Sequence, residues 1–386
     1  MRVLLVGPVG PGGEGTYMRL LRTHPPSGVD YASTGGFHEG GPGVTCSVGW
    51  EVALNRIVHP RAIPDMGFRA LRLRDRFDLI HVHAHPVRLQ RASGVPLVMS
   101  EGSSSAVYLG DYLGWDEDSI AGAYRRARRM YRALGVRDRL LALEKVARVY
   151  VFSEWARQLN VGWGADPDKL DVIPPGFPTP TVARSDGEGP FSFLFLGTDF
   201  ERKGGFDVIE AFDRVRRENP AVRLVLAGSN PDERNPDRSF HSWVGQRRRD
   251  SVLARLGELE RTGVVEVRGA IAADVADSLY AAADAFVMPS LAEGFGFANV
   301  EAMSYALPVI SSNLGPIAET ISDSESGLLV PPGDVGRLGD AMARLATERG
   351  WARRLGRAGR ETFLRRYTIE RFRARLGDFY RRAEGR

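Results

Sequence analysis

PSLAEGFGFANVEAM, residues 289–303, decides how this chain is read. It continues an apolar run, AFVMPS (285–290), that reads as a short buried strand. The chain then turns through Gly294 and Gly296 into ANVEAMSYA (298–306), whose apolar spacing reads as a helix. A glycine turn between strand and helix exposes backbone N–H groups where the helix dipole favours anions. Glu293 and Glu301 bracket that turn. Carboxylates repel phosphate but accept hydrogen bonds from hydroxyls. N–H groups for a diphosphate and carboxylates for hydroxyls suit a sugar nucleotide.

At 386 residues the chain is long for one core and comfortable for two domains of roughly 150–200 residues. With 43% hydrophobic and 26% charged residues it falls among globular proteins, not disordered or fibrous ones. A net charge of +4 does not argue for wholesale nucleic-acid binding, and no nucleic-acid partner is expected. The single cysteine, Cys46, excludes an internal disulfide, and no Cys/His cluster has zinc spacing. The chain has no run of about 18 apolar residues, so no membrane span is expected. Its opening, MRVLLVGP, is too short in apolar residues for a signal peptide and reads as a first strand. These features fit a cytoplasmic protein.

Strand-like runs alternate with helix-like segments, the pattern of an α/β protein with parallel sheets. RVLLVG (2–7), FDLIHVHA (77–84), PLVMSE (96–101) and VYVFS (149–153) are the strands of the first half. FSFLFLG (191–197), RLVLAG (223–228), VVEVRG (264–269), AFVMPS, PVISS (308–312) and GLLV (327–330) are those of the second. Between the halves, PPGFPTPTVARSDGEGP (174–190) is rich in proline, glycine and polar residues and lacks periodicity, as a linker does. The expected division is a domain over 1–176, a linker over 177–190, a domain over 191–367 and a basic amphipathic helix over 368–386. Residues 229–262 look longer than a usual connection and read as an insertion.

Three further stretches carry candidate chemistry. GTDFERKGG (197–205) follows a strand and sets Arg202 and Lys203 at a turn. Arginine offers phosphate a planar fork, and lysine a compact charge. As exposed turn residues, both should be replaceable by alanine without loss of fold. PVGPGGEGTYMRLL (8–21) places Gly12 and Gly13 where backbone N–H groups can approach a ligand. LIHVHAHP (79–86) ends a strand with His81, His83 and His85 on alternate positions, at the sheet edge where α/β proteins bind ligands. Without a partner cluster these histidines line a cleft better than they bind zinc.

The glutamate stretch, with its E-x7-E spacing, internal phenylalanines and glycines, closing EAM and following LPVISS, resembles the signature of the family 4 retaining glycosyltransferases. KVARVYVFSEWARQLNVGWGADPDKLDVIPPGF (145–177) and ADVADSLYAAADAFVMPS (273–290) extend the resemblance over most of the chain. It implies the GT-B fold, two Rossmann-like domains with parallel sheets facing across a cleft, with the last helix returning to the first domain. It also implies a hexosyl unit moved from a nucleotide-diphosphate sugar to a hydroxyl acceptor with retained configuration. Glu293 would face the donor sugar and Glu301 the donor ribose. Arg202 and Lys203 would stabilise the departing diphosphate, without a metal or other cofactor. Gly294, Phe295, Gly296, Phe297, Gly12 and Gly13 would line the donor site, with Arg268 beside the base. Glu101, His83 and His85 would lie on the acceptor or donor-sugar side. The chain departs from the family at SEGSSSAVYLGDYLG (100–114), where Glu101 follows the strand in place of a common histidine. An epimerase or hydrolase on the same fold, or a non-catalytic nucleotide-sugar binding module, remains an alternative reading.

Segment 121–148 is basic, with Tyr124, Met130, Tyr131 and Leu134 interspersed. It reads either as a solvated helix or as a peripheral face for the inner surface of the membrane, arginines on anionic headgroups and apolar groups at the boundary. The acidic run DED (116–118) reads as a solvated loop.

Overall fold

The computed structural model describes residues 1–8, 10, 12–34, 41–47, 69–84, 87–90, 94–103, 107, 110–111, 114–137, 146–181, 189–232 and 243–385. The chain divides into two compact units, Met1–Gly176 with Ile369–Arg386, and Phe177–Arg238 with Ser242–Thr368.

The first unit runs β1 (Arg2–Val6), α1 (Gly13–Thr23), β2 (Asp30–Ser33), β3 (Val44–Ser47), β4 (Arg69–Leu73), β5 (Leu79–His83), β6 (Val87–Gln90), β7 (Leu97–Glu101), α2 (Glu117–Leu134), β8 (Arg148–Val151), α3 (Glu154–Gly162) and β9 (Leu170–Val172). Its main sheet has the order β2-β1-β5-β7-β8-β9, and every pairing is parallel. Strands covered on both faces read as unbroken apolar runs, and β5 and β7 are buried at every position. A small sheet, β3-β4-β6, stands beside it.

The second unit runs β10 (Phe191–Leu196), α4 (Gly205–Glu218), β11 (Val222–Ala227), α5 (Gln246–Arg261), β12 (Val265–Val267), α6 (Ala273–Ala282), β13 (Ala285–Met288), α7 (Phe297–Ser304), β14 (Val309–Ser312), α8 (Gly315–Ala318), β15 (Leu328–Val330), α9 (Val335–Thr347) and α10 (Arg349–Arg366). Its sheet is also parallel, in the order β12-β11-β10-β13-β14-β15. The last helix, α11 (Ile369–Glu384), belongs to the first unit. Phe379 meets Tyr150 edge-on, Arg373 donates to the Pro25 carbonyl at 2.8 Å, and Arg382 pairs with Asp171 at 2.6 Å.

Several expectations need correction. The expected linker begins inside a core. Phe177 is buried, its N–H donates to the Tyr367 carbonyl at 2.8 Å, and its ring meets Phe297 edge-on. The stretch read as an insertion contains an ordinary crossover helix, α5, between β11 and β12. Its arginines tie it to α4: Arg248 to Asp207 and Glu210, Arg255 to Asp213. The acidic run is not a loop. Asp116 caps α2 by accepting from the Ser119 N–H at 2.8 Å, and Glu117 and Asp118 fill the first turn, where the helix dipole favours them. The apolar residues of α2 face inward. Tyr124 lies on Trp163, while Tyr131, Ala127 and Val136 form a cluster on which Met130 and Leu134 pack. Arg125, Arg126, Arg129 and Arg132 form the outward face.

Candidate active site

In an open α/β sheet, ligands bind outside the carboxyl ends of the strands where the strand order reverses. In the second unit the chain leaves β10 for β11 and β12 on one side, then returns to β13 on the other. Arg202 and Lys203 come from the turn after β10, and Glu293 from the turn after β13. The two turns are laced together: Leu291 N–H donates to the Arg202 carbonyl at 2.7 Å. Gly204 permits this closeness. Its φ is 80°, and a Cβ there would lie 2.2 Å from the Pro289 carbonyl oxygen.

Lys203 Nζ donates to Glu293 Oε2, and Arg202 Nη1 stands 3.9 Å from the same oxygen. Arg202 is itself steered by Asp199 at 2.9 Å and by the Ala292 carbonyl at 2.9 Å. Glu293 also accepts from its neighbour Gly294 N–H at 3.1 Å. Burial alone would raise the Glu293 carboxyl, but Lys203 and Arg202 overcome it and hold the group below the usual carboxylate range. The three side chains are 8–13% exposed, so the expected solvated basic turn is a nearly buried ion cluster. Both cations are nearly buried, not exposed as expected, and alanine at both positions would leave the buried Glu293 carboxylate without either of them.

Gly296, at φ 89°, turns the chain into α7, whose first turn has no side-chain cap. Glu301 lies on α7 and accepts from the Tyr280 hydroxyl at 3.2 Å. Phe295 is 3% exposed and packs against Phe297 and Tyr367, so its side chain belongs to the core. Arg268 follows the edge strand β12, two strands from β10, and pairs with Glu266 at 2.8 Å. It does not join the cluster.

The first unit reverses its strand order between β1 and β5. Gly12, at φ 91°, leads into α1 with Gly13 as the first helical residue, and Glu14 follows in the first turn. His83 ends β5, 1% exposed, and its Nε2 meets the Glu14 carboxylate. Ser100 of β7 lies 2.8 Å from both His83 Nδ1 and His81 Nε2. His81 Nδ1 is 2.7 Å from the Tyr380 hydroxyl, which is 3.0 Å from that of Tyr31. A carboxylate only accepts, so His83 Nε2–H donates to Glu14. His83 Nδ1 and His81 Nε2 share the Ser100 hydroxyl, which has one proton to give. Burial, with help from His83, pulls the His81 pKa down to about 3. His81 is thus neutral, one ring nitrogen donating and the other accepting between Ser100 and Tyr380. Both His83 nitrogens are engaged; the surface-reaching member is Glu14, 53% exposed. Glu101 ends β7, 8% exposed, one residue beyond Ser100. His85 lies outside the described residues. Among those described, no group of three or more His, Cys, Asp or Glu could hold a metal ion.

Glu14, Ser100, Asp199 and Tyr280 were not singled out from sequence. Glu14 had a local signal, an acid directly after a glycine pair at a helix start. Ser100 showed as a polar break in an apolar strand. Nothing local marks Tyr280.

Two parallel α/β units, each with charged residues at its switch point, form the GT-B architecture. The family model for glycosyl transferases group 1 matches residues 183–362, and that for the glycosyl transferase 4-like domain matches residues 14–176. The chain belongs to the family 4 glycosyltransferases. It is 27% identical over 298 residues to a glycogen synthase of Mycobacterium tuberculosis, covering 74% of this chain and 64% of that protein. To the GDP-mannose-dependent α-(1-6)-phosphatidylinositol monomannoside mannosyltransferase of the same species it is 29% identical over 231 residues, covering 55% of this chain and 56% of that one. The chain therefore spans less than two thirds of the length of these relatives. The sucrose-phosphate synthase structure from Thermosynechococcus elongatus superposes with a TM-score of 0.66 at 20% identity, over 99% of this chain and 98% of that one.

Proposed function

We propose that this chain is a retaining hexosyltransferase that moves a sugar from a nucleotide diphosphate to a hydroxyl acceptor. The observation that carries this reading is the Arg202–Lys203–Glu293 cluster at the switch point of the second unit. As the bond from the anomeric carbon to the phosphate oxygen breaks, negative charge grows on the diphosphate. Fixed cations there stabilise the transition state more than the ground state. Lysine has three N–H donors, so Lys203 can serve Glu293 and a phosphate oxygen together. Glu293, held ionised and in place, orients donor-sugar hydroxyls, while Glu301 receives those of the ribose. The acceptor oxygen attacks from the leaving-group side, and its proton passes to the departing phosphate. Glu14, held by His83, is suited to an acceptor hydroxyl. With Arg202 and Lys203 on the diphosphate, transfer proceeds in a chelator. The name of one relative specifies GDP-mannose, and both GDP and UDP sugars are candidate donors.

A thermal-shift panel of UDP, GDP and their hexoses tests the reading. A ligand at 100 times its Kd stabilises by about 2.7 kcal/mol, enough to rank the donors. The stabilising donor should then give a product of unchanged anomeric configuration. Inversion would overturn the retaining mechanism, and sugar release alone with every acceptor would favour a hydrolase. No shift with any nucleotide would remove the transferase assignment.

A further inference from the structure

Glu301 does not stand alone on α7. Tyr280, near the end of α6, donates its hydroxyl to Glu301 Oε2 at 3.2 Å. Four residues beyond Glu301, Tyr305 donates its own hydroxyl back to Asp277 Oδ1 of α6 at 2.8 Å. The two rings lie stacked between these bonds, centroids 5.3 Å apart and planes 20° from parallel. Residues three or four apart share one face of a helix. Asp277 and Tyr280 therefore face α7 together, and Glu301 and Tyr305 face α6 together. Each helix gives the other one phenol and takes one phenol on a carboxylate. The spacings D-x-x-Y (277–280) and E-x-x-x-Y (301–305) are the sequence trace of this exchange.

The two halves are not equivalent. Asp277 is exposed, so the bond from Tyr305 competes with water. Tyr280 is 2% exposed and ends on a carboxylate at the proposed donor site. Burial, reinforced by the nearby Glu301 charge, pushes the Tyr280 phenol well above its usual range, so it remains a donor. A carboxylate on a helix can adopt several rotamers, and a fixed donor on one oxygen selects among them. Preorganisation of this kind lowers the cost of ordering on binding.

We propose that Tyr280 is a positioning residue for nucleotide binding, fixing the Glu301 carboxylate in the orientation that receives the ribose hydroxyls. The proposal rests on the assignment of Glu301 to the ribose, so the experiment separates the two.

Isothermal titration of the full chain with UDP and GDP is compared for the wild type, Tyr280→Phe, Tyr305→Phe, Glu301→Ala and the Tyr280→Phe/Glu301→Ala double variant. Each tyrosine variant loses one hydroxyl of the same exchange, so Tyr305→Phe is the internal control for a purely structural effect. For the nucleotide that binds, Glu301→Ala should weaken affinity by ~10- to 100-fold, and Tyr280→Phe by ~3- to 10-fold, as expected for hydrogen bonds to a charged group. Tyr305→Phe should stay within about twofold, and the double variant should bind no worse than Glu301→Ala alone. Normal affinity of Tyr280→Phe beside a weakened Glu301→Ala overturns the positioning role and leaves the ribose assignment standing. Equal losses in the two tyrosine variants, or multiplied losses in the double variant, also overturn it. Normal binding by Glu301→Ala overturns the ribose assignment and this role with it.

Discussion

The two units place a carboxylate and a nitrogen group at the same topological point, with the order exchanged and the burial changed. In the first, the carboxylate of Glu14 follows the first strand and the imidazole of His83 ends its neighbour. In the second, the cations of Arg202 and Lys203 follow the first strand and the carboxylate of Glu293 follows the neighbour. Glu14 is half exposed, whereas the whole second cluster is nearly buried. A doubly wound sheet fixes where a ligand meets the strand ends, and the residues there fix what that ligand can be. Cations on the loop suit a diphosphate; a carboxylate on the loop suits hydroxyls. The difference teaches that one architecture, repeated, can serve two unlike halves of a transfer reaction.

The comparison breaks first at Lys203. Lys203→Ala should lower transfer by ~100- to 1,000-fold, the usual loss when one transition-state charge partner is removed. It should also destabilise the chain. Adding Glu293→Gln to Lys203→Met removes both charges, so stability should largely return while transfer does not. Recovery of transfer in that double variant would show that Lys203 serves the fold alone.

Burial is the next test. Glu293→Ala leaves Lys203 and Arg202 without their shared buried carboxylate, at a cost of about 3–5 kcal/mol. Glu14→Ala removes a half-exposed partner from His83 and should cost under ~1 kcal/mol. Urea unfolding of the two variants measures both, and similar losses would contradict the contrast in burial.

The first unit should also be the more sensitive to acid. His81 has a folded pKa of about 3 against an ordinary 6.5. Between those values the unfolded chain binds a proton that the folded chain excludes. Stability is therefore full above about pH 6.5 and falls by up to ~1.4 kcal/mol per pH unit below it, levelling off near pH 3. His81→Gln should flatten the decline of Tm between pH 7 and 4.5. An unchanged slope would assign the acid sensitivity to other groups.

Smallest is the effect expected at α2. Its apolar residues are committed inward, so only arginines can meet a surface, each worth about 1 kcal/mol near anionic lipid and screened by salt. Weak binding to anionic vesicles at low salt, lost at high salt, is expected. Equal co-sedimentation with neutral vesicles would leave α2 an ordinary solvated face.

The main strands named from sequence and both charged turns were legible because their causes are local. Apolar runs of strand length, glycines at strand-to-helix turns and charges beside them are set by neighbours within a few residues. The Glu293 turn and the RKG turn could be read in this way, and so could the glycine loop ahead of Glu14. DED was misread because an N-cap and a loop share the same residue types, and the helix behind it decides between them. The α5 segment was misread because a masking run of charge hid an ordinary crossover.

By itself, the sequence determined the repeated parallel α/β pattern, the glycine turns and the residue types available at each strand end. Only the tertiary structure decided which of them meet. Lys203 reaches Glu293 across 90 residues because β10 and β13 are neighbours in the sheet, a fact that no spacing encodes. Tyr380 reaches His81 across 299 residues because α11 packs on the first unit. Those pairings fix the charge on Glu293 and the partner of His81. Hydrogen bonds and desolvation act over a few ångströms of space, whatever the distance along the chain.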